Sequence, residues 1–251
     1  MSVLYTKHNY TRKDITIIRN TMIREYDIKS AGLNILYNKE YVDEETYNHL
    51  MSIDKLERNI IIGKWLRENT SVNKEMMDEF IRIRKAFFEM NNLEDDNVLA
   101  IKKDAIFVID RVLSGLQFEN YLFVAKDEYT DFILMNKKEY YYNKYTNELV
   151  VKGFSQETKE FQKDYYFLLI KTLLNIPNPK DRFKCLIIFK DDFLNRRLSK
   201  EYYKSIESNA YLFKMAGSLL GMDDIPDNLL PKVFLGYNIA FINYLISIFI
   251  V

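Results

Sequence analysis

Apolar positions along this chain change their period several times, and each change marks an element. Met22 to Leu36, MIREYDIKSAGLNIL, opens as a β-leaning run over Met22–Tyr26 and closes with Ala31, Leu33, Ile35 and Leu36 at helical spacing. That change predicts a strand running into a helix, with Asp27 at the junction. Asp43, Glu44 and Glu45 stand before Tyr47 and Leu50, acids placed as in the first turn of a helix. Ile53–Arg67 (IDKLERNIIIGKWLR) continues as helix. Ser71–Met90 predicts a long amphipathic helix with Met76, Met77, Phe80, Ile81, Ile83, Phe87 and Phe88 on or near one face, a core stripe.

Beyond it, β-rich runs at Val98–Ile101 and Ala105–Ile109 flank Lys102, Lys103 and Asp104, a hairpin signal without the usual Asn-Gly turn. From Tyr121 to Lys152 the chain is strongly β, with a turn at Asn143–Asn147 and an end at Gly153. Helices return from Gln156, clearest in FQKDYYFLLIKTLL. Breaks fall at Asn175–Pro179 and Asp224–Asp227, and Lys180–Val251 reads as mostly helical.

Composition narrows the choice. The 251 residues are 48% hydrophobic, enough for a folded core in one or two domains. Formal net charge is zero, so attraction to nucleic acid must come from local patches. One cysteine, Cys185, precludes an internal disulfide and fits a reducing compartment. Two histidines, His8 and His49, argue against a zinc centre or a Ser-His-Asp triad. The polar start, Met1–Tyr10, predicts no secretory leader. The apolar tail Ile239–Val251 is short for a membrane span and is broken by Asn243 and Ser247, so it reads as a buried terminal helix. The expected location is the cytoplasm, the host cytoplasm if the source is viral, with no membrane partner.

Taken singly, Asp27 or Ser30 reads as a helix cap, Lys55 as a solvated helix lysine and Asp104 as a turn former. Taken in order, three patterns resemble the palm motifs of family B DNA polymerases. Asp27 to Leu36 (DIKSAGLNIL) is similar to D-x-x-S-L-Y-P-S-I-I, matching at Asp27, Ser30 and the final apolar pair. Lys55 to Lys64 (KLERNIIIGK) is similar to K-x-x-x-N-S-x-Y-G, matching at Lys55, Asn59 and Gly63. Lys103 to Val108 (KDAIFV) resembles D-T-D-S-I-F-V, with Asp104 on the second, metal-binding Asp. Lys126–Tyr129 and Leu149–Gly153 look like the primer-side Lys/Tyr segment and the Lys-Gly turn after it. The resemblance runs from Met22 to Gly153 and is nearest to the compact phage and protein-primed members.

It implies an α+β fold: a palm-like small antiparallel sheet with helices, then a mostly helical thumb-like region. The corresponding division is a lead-in over 1–21, a palm-like core over 22–153 with a short fingers segment at about 37–91, and a thumb-like region over 154–251. It implies template-directed nucleotidyl transfer with Mg²⁺ or Mn²⁺ held by Asp27 and Asp104, since two ions stabilise the attacking and leaving oxygens. Lys55 would meet the nucleoside triphosphate, and Asn59, Gly63, Ser30 and Gly32 the nascent pair. Lys102, Lys103, Tyr129 and Lys152, with Lys137, Lys138 and Lys144, would line a DNA or RNA template-primer. Arg196 and Arg197 are further candidates, and Asp110 or Glu25 could add a carboxylate.

Departures refine this. Gly32 stands where the family has a sugar-excluding Tyr, which implies tolerance of ribonucleotides. Ile60, Ile62 and Lys102 replace motif residues. Tyr37–Asp54 is short for a fingers insertion, and the lead-in leaves no room for a proofreading exonuclease. The alternative is a non-catalytic palm serving as a nucleic-acid-binding replication subunit with a partner protein.

Overall fold

The computed structural model describes residues 2–135, 138–152, 170–171, 174–176, 178–195 and 197. It is α+β, with helices and two antiparallel sheets. The described chain divides into two compact units. One holds residues up to Asp14 and Asn20–Thr130; the other holds Ile15–Arg19 and the residues from Asp131 on.

The first unit is built on strands β1 (Asn9–Thr11), β3 (Ile23–Ile28), β4 (Val98–Lys102), β5 (Ala105–Ile109), β6 (Gln117–Phe118) and β7 (Tyr121–Tyr129). Their order across the sheet is β1-β4-β5-β3-β7-β6. β3 is central, antiparallel to both β5 and β7, with a bulge against β7 between Glu25 and Tyr26. Four helices join β3 to β4: α1 (Ala31–Asn38), α2 (Glu44–Ser52), α3 (Lys55–Glu68) and α4 (Thr70–Met90). The expected starts hold. Asp43 caps α2 by accepting from Thr46 N at 2.8 Å, and Asp54 caps α3 by accepting from Leu56 N at 2.7 Å.

The stripe on α4 supplies the core. Met76, Phe80, Ile83, Phe87 and Phe88 pack with Tyr26, Ile28, Ile106, Val108 and Phe123 of the sheet and with Leu33, Leu36, Ile62 and Leu66 of α1 and α3. Phe87 stacks on Phe123 with centroids 3.9 Å apart. Inside this stripe lie two charged side chains. Glu79 receives Arg82, Lys39 at 3.1 Å and the Tyr121 hydroxyl at 3.1 Å. Burial alone would raise the Glu79 carboxyl, but the bonds from Arg82 and Lys39 bring it below the usual carboxylate range.

The second unit contains β2 (Ile17–Ile18), β8 (Asp131–Met135), β9 (Lys138–Asn143) and β10 (Glu148–Lys152), in the order β10-β9-β8-β2. The turn expected at Asn143–Asn147 is present, with Asn143 Oδ1 accepting from Tyr145 N and Thr146 N. α5 (Pro179–Leu194) starts after the expected break, with proline in its first turn and Asn178 Oδ1 accepting from Lys180 N at 2.9 Å.

Two boundaries differ from the sequence reading. The stretch 1–21 is more than a lead-in: β1 joins the first sheet and β2 the second. The continuous β run from Tyr121 divides between Thr130 and Asp131, so the palm-like stretch 22–153 spans both units. Most of the helix read at FQKDYYFLLIKTLL, and all of the tail Ile239–Val251, lie outside the described residues, as do Gly153, Lys137 and Arg196. No helix among the described residues is long and apolar enough to cross a membrane.

Candidate metal centre

The ladder between β3 and β5 ends at Tyr26 opposite Ile106. One step further along both strands brings Asp27 beside Ala105, and the next brings the chain to the tip of the β4–β5 hairpin, where Asp104 sits. Neighbouring strands lie ~4.8 Å apart, so antiparallel pairing alone carries two acids, distant in sequence, to one end of the sheet.

They meet in a cavity of about 90 Å³ lined by Asp27, Ile28, Ser30, Ala31, Gly32, Leu33, Lys55, Arg58, Asn59, Ile62 and Asp104. Of the residues assigned from sequence to metal and nucleotide, all but Gly63 are in that lining. Asp27 Oδ1 is buried and has no hydrogen-bond partner. Asp104 is pushed up to about 6 from 3.8, first by burial, then by the charge of Asp27. The closeness of the Asp27 carboxyl favours the protonated form of Asp104.

The hairpin tip is anchored from below by Arg84 of α4, which is fully buried. Its guanidinium donates to Tyr5 O at 2.8 Å and to Lys103 O, and lies 3.3 Å from His8 Nδ1. Lys103 N in turn donates to His8 O at 2.7 Å. Burial lowers the Arg84 pKa to about 10, a shift partly offset by Asp104. Burial, then the Arg84 charge, lowers the His8 pKa, which keeps the ring neutral beside the cation. Lys103 takes φ 56°, a left-handed conformation unusual for a side chain with a Cβ.

The same lining also holds cations and N–H donors. Lys55, Arg58, Asn59 and Ile62 come from successive turns of α3. Ser30, with φ 50°, precedes α1 and makes no side-chain cap bond. The first helical bond of α1 is from Asn34 N to Ser30 O. The N–H groups of Ala31, Gly32 and Leu33 therefore lack helical acceptors at the cavity edge.

Other assigned residues lie elsewhere. Gly63 is on α3 but outside the lining, and a Cβ there would meet nothing within 4 Å. Tyr129 is buried, stacked on Phe107, with its hydroxyl donating to Glu25 at 3.1 Å, so it is not presented to a nucleic acid. Glu25 also binds Lys126 at 3.1 Å. Neither Glu25 nor Asp110 lines the cavity. Lys102 donates to Thr11 Oγ1 at 2.9 Å, and Lys103 is exposed at the tip. Lys138, Lys144 and Lys152 belong to the second unit; Arg197 of α5's far end pairs with Asp191 and Asp192.

The donor set fits a hard divalent ion. One carboxylate oxygen is orphaned and a second carboxylate faces it, and Mg²⁺ takes one or two carboxylates while keeping waters. Among the described residues no group of three or more His, Cys, Asp or Glu forms a richer cluster. A larger cavity of about 450 Å³, bounded by Leu36, Tyr41, Leu50, Ile61 and Trp65 among others, contains neither of these acids.

Sequence reasoning missed Arg58 and Arg84. Arg84 carried a signal: it falls four residues after Phe80 and three before Phe87, on the buried stripe.

No curated protein and no solved structure matches the chain. The family described as bacteriophage PBS1 gene 130 protein matches residues 1–251, so the chain belongs to that phage family.

Proposed function

We propose that this phage-family protein is a divalent-metal-dependent, template-directed nucleotidyltransferase, a minimal DNA polymerase-like enzyme. The observation that carries the reading is the meeting of Asp27 and Asp104 in one cavity, with Asp27 Oδ1 orphaned.

Asp27 and Asp104 hold Mg²⁺ or Mn²⁺, which supplies charge stabilisation for phosphoryl transfer. Lys55 faces the triphosphate of an incoming nucleotide as a compact positive charge. The free N–H groups at the start of α1 offer further contacts to its oxygens. Asn59 and Gly32 lie nearest the sugar and base, and Gly63 beyond them. Exposed Lys103 contacts the template-primer backbone. A Cβ at Gly32 would make ordinary contact with Met76 Sδ at 4.0 Å, and the glycine itself presents no side chain to a ribose 2′-hydroxyl.

Primer extension on a labelled template-primer tests this. Wild type extends with Mg²⁺ or Mn²⁺, accepts ribonucleotides, and gains deoxynucleotide preference in Gly32→Tyr. Asp27→Asn and Asp104→Asn fold but do not extend. Extension undiminished in both Asn variants sinks the proposal.

One observation favours a second reading, a non-catalytic palm that binds nucleic acid in a replication complex. Lys102 puts a cation, tied to Thr11, where the resembling motif has an acid. Template-primer binding without incorporation by wild type supports that reading.

A further inference from the structure

We propose that Arg58 is a phosphate-binding residue of the carboxylate cavity, so that the site takes a phosphate ester or polyphosphate together with its metal ion. This rests on the reading of Asp27 and Asp104 as a metal centre and names the ligand that shares their cavity.

Arg58 sits on α3 three residues after Lys55, beside Asn59 in the cavity lining. Its residue is only 8% exposed. Among the described residues its side chain has one hydrogen-bond acceptor, the thioether of Met51, with Nη1 to Sδ at 3.4 Å. A thioether is a weak acceptor, and a guanidinium carries five N–H donors. The other arginines packed into this unit are provided for. Arg82 binds Glu79 and Glu119, and Arg84 has two carbonyls and a ring nitrogen. The remaining N–H groups of Arg58 have no acceptor among the described residues and stay open to the cavity, available to a ligand.

The cavity it lines explains why such a cation is kept. Lys55 adds a second positive charge, and the start of α1 adds N–H donors without acceptors. All of them share one cavity lining with Asp27 and Asp104. The lining sets two carboxylates together with Lys55 and Arg58, the charges that a metal ion and a phosphate group would meet there. The guanidinium fork takes phosphate oxygens in a bidentate manner.

The test is calorimetric titration with inorganic pyrophosphate. It is run on the full chain with Mg²⁺, and on the Asp27→Asn/Asp104→Asn double variant with no divalent ion. In the double variant, anion binding no longer depends on metal. Both forms bind pyrophosphate. Adding Arg58→Met weakens binding about tenfold or more in each, the loss of a charge-assisted contact. Arg58→Lys weakens it less. Ligand-free Arg58→Met melts near the wild-type temperature, because the side chain's one bond to the protein is to a thioether. Unchanged affinity in Arg58→Met, no pyrophosphate binding by either parent form, or a marked fall in the ligand-free melting temperature overturns the assignment. The two readings fail separately. Arg58-dependent pyrophosphate binding without nucleotide incorporation removes the transferase and keeps this site. Incorporation that persists in Arg58→Met with an unchanged nucleotide KM removes this site and keeps the transferase.

Discussion

The carboxyl of Asp104 keeps its proton up to about pH 6 because it is buried and because Asp27 stands beside it. A group whose folded pKa is raised contributes stability that is complete below its free value of 3.8 and is lost as pH rises through about 6. Above that window the metal-free protein carries an uncompensated charge pair. Asp104→Asn should therefore stabilise the metal-free chain at pH 7.5 by about 2–3 kcal/mol and leave pH 4 nearly unchanged. Urea unfolding at the two pH values measures this, and a destabilised Asn variant at pH 7.5 would contradict it.

Glu79 has the opposite sign. Its folded pKa is lowered, so its contribution is present at neutral pH and fades as pH falls through the folded value. Glu79→Gln removes the buried charge that Arg82 and Lys39 face and turns one acceptor oxygen into an N–H donor. It should cost about 3 kcal/mol at pH 7 and progressively less in acid. The same melts compare both variants on one pH axis.

Arg84→Met strands the carbonyls of Tyr5 and Lys103 and should destabilise the fold by about 3 kcal/mol. Arg84→Lys restores charge but not the fork, and should recover only part of it. Because Arg84 positions the hairpin that carries Asp104, the Lys variant should also bind Mn²⁺ more weakly than wild type, read by calorimetry.

Gly63 is in a helix interior with open space where a Cβ would stand. Gly63→Ala should raise stability by about 0.8 kcal/mol. If the glycine serves a ligand, the stabilised variant should show a raised KM for nucleotide with unchanged folding. An unchanged KM assigns Gly63 no part in binding.

The elements that carry these residues were legible because they are long or sharply punctuated, whereas their grouping into one site came only from the resemblance to the polymerase motifs. Asp27 lies where a two-residue period gives way to a helical one, Asp104 between two matched β runs, and Lys55 and Asn59 one turn apart. The strands of the first 21 residues were not legible. β1 and β2 are three and two residues long, too short to show alternation, and are fixed by partners far along the chain. Nor does Tyr129-Thr130-Asp131 carry a glycine or proline to announce that one strand ends and another sheet begins. Arg58, Glu79 and Arg84 escaped because a hydrophobic pattern counts only apolar residues, whereas a charge may occupy a core position when acceptors or a ligand satisfy it.

The most direct test of the central claim is Mn²⁺ binding by the full chain at pH 7.5, measured by calorimetry in two buffers of different ionisation enthalpy. Saturable binding by wild type, accompanied by proton release that grows as pH falls towards 6, and abolished by either Asp27→Asn or Asp104→Asn, is the expected result. Binding of equal affinity in wild type and both Asn variants would contradict the account.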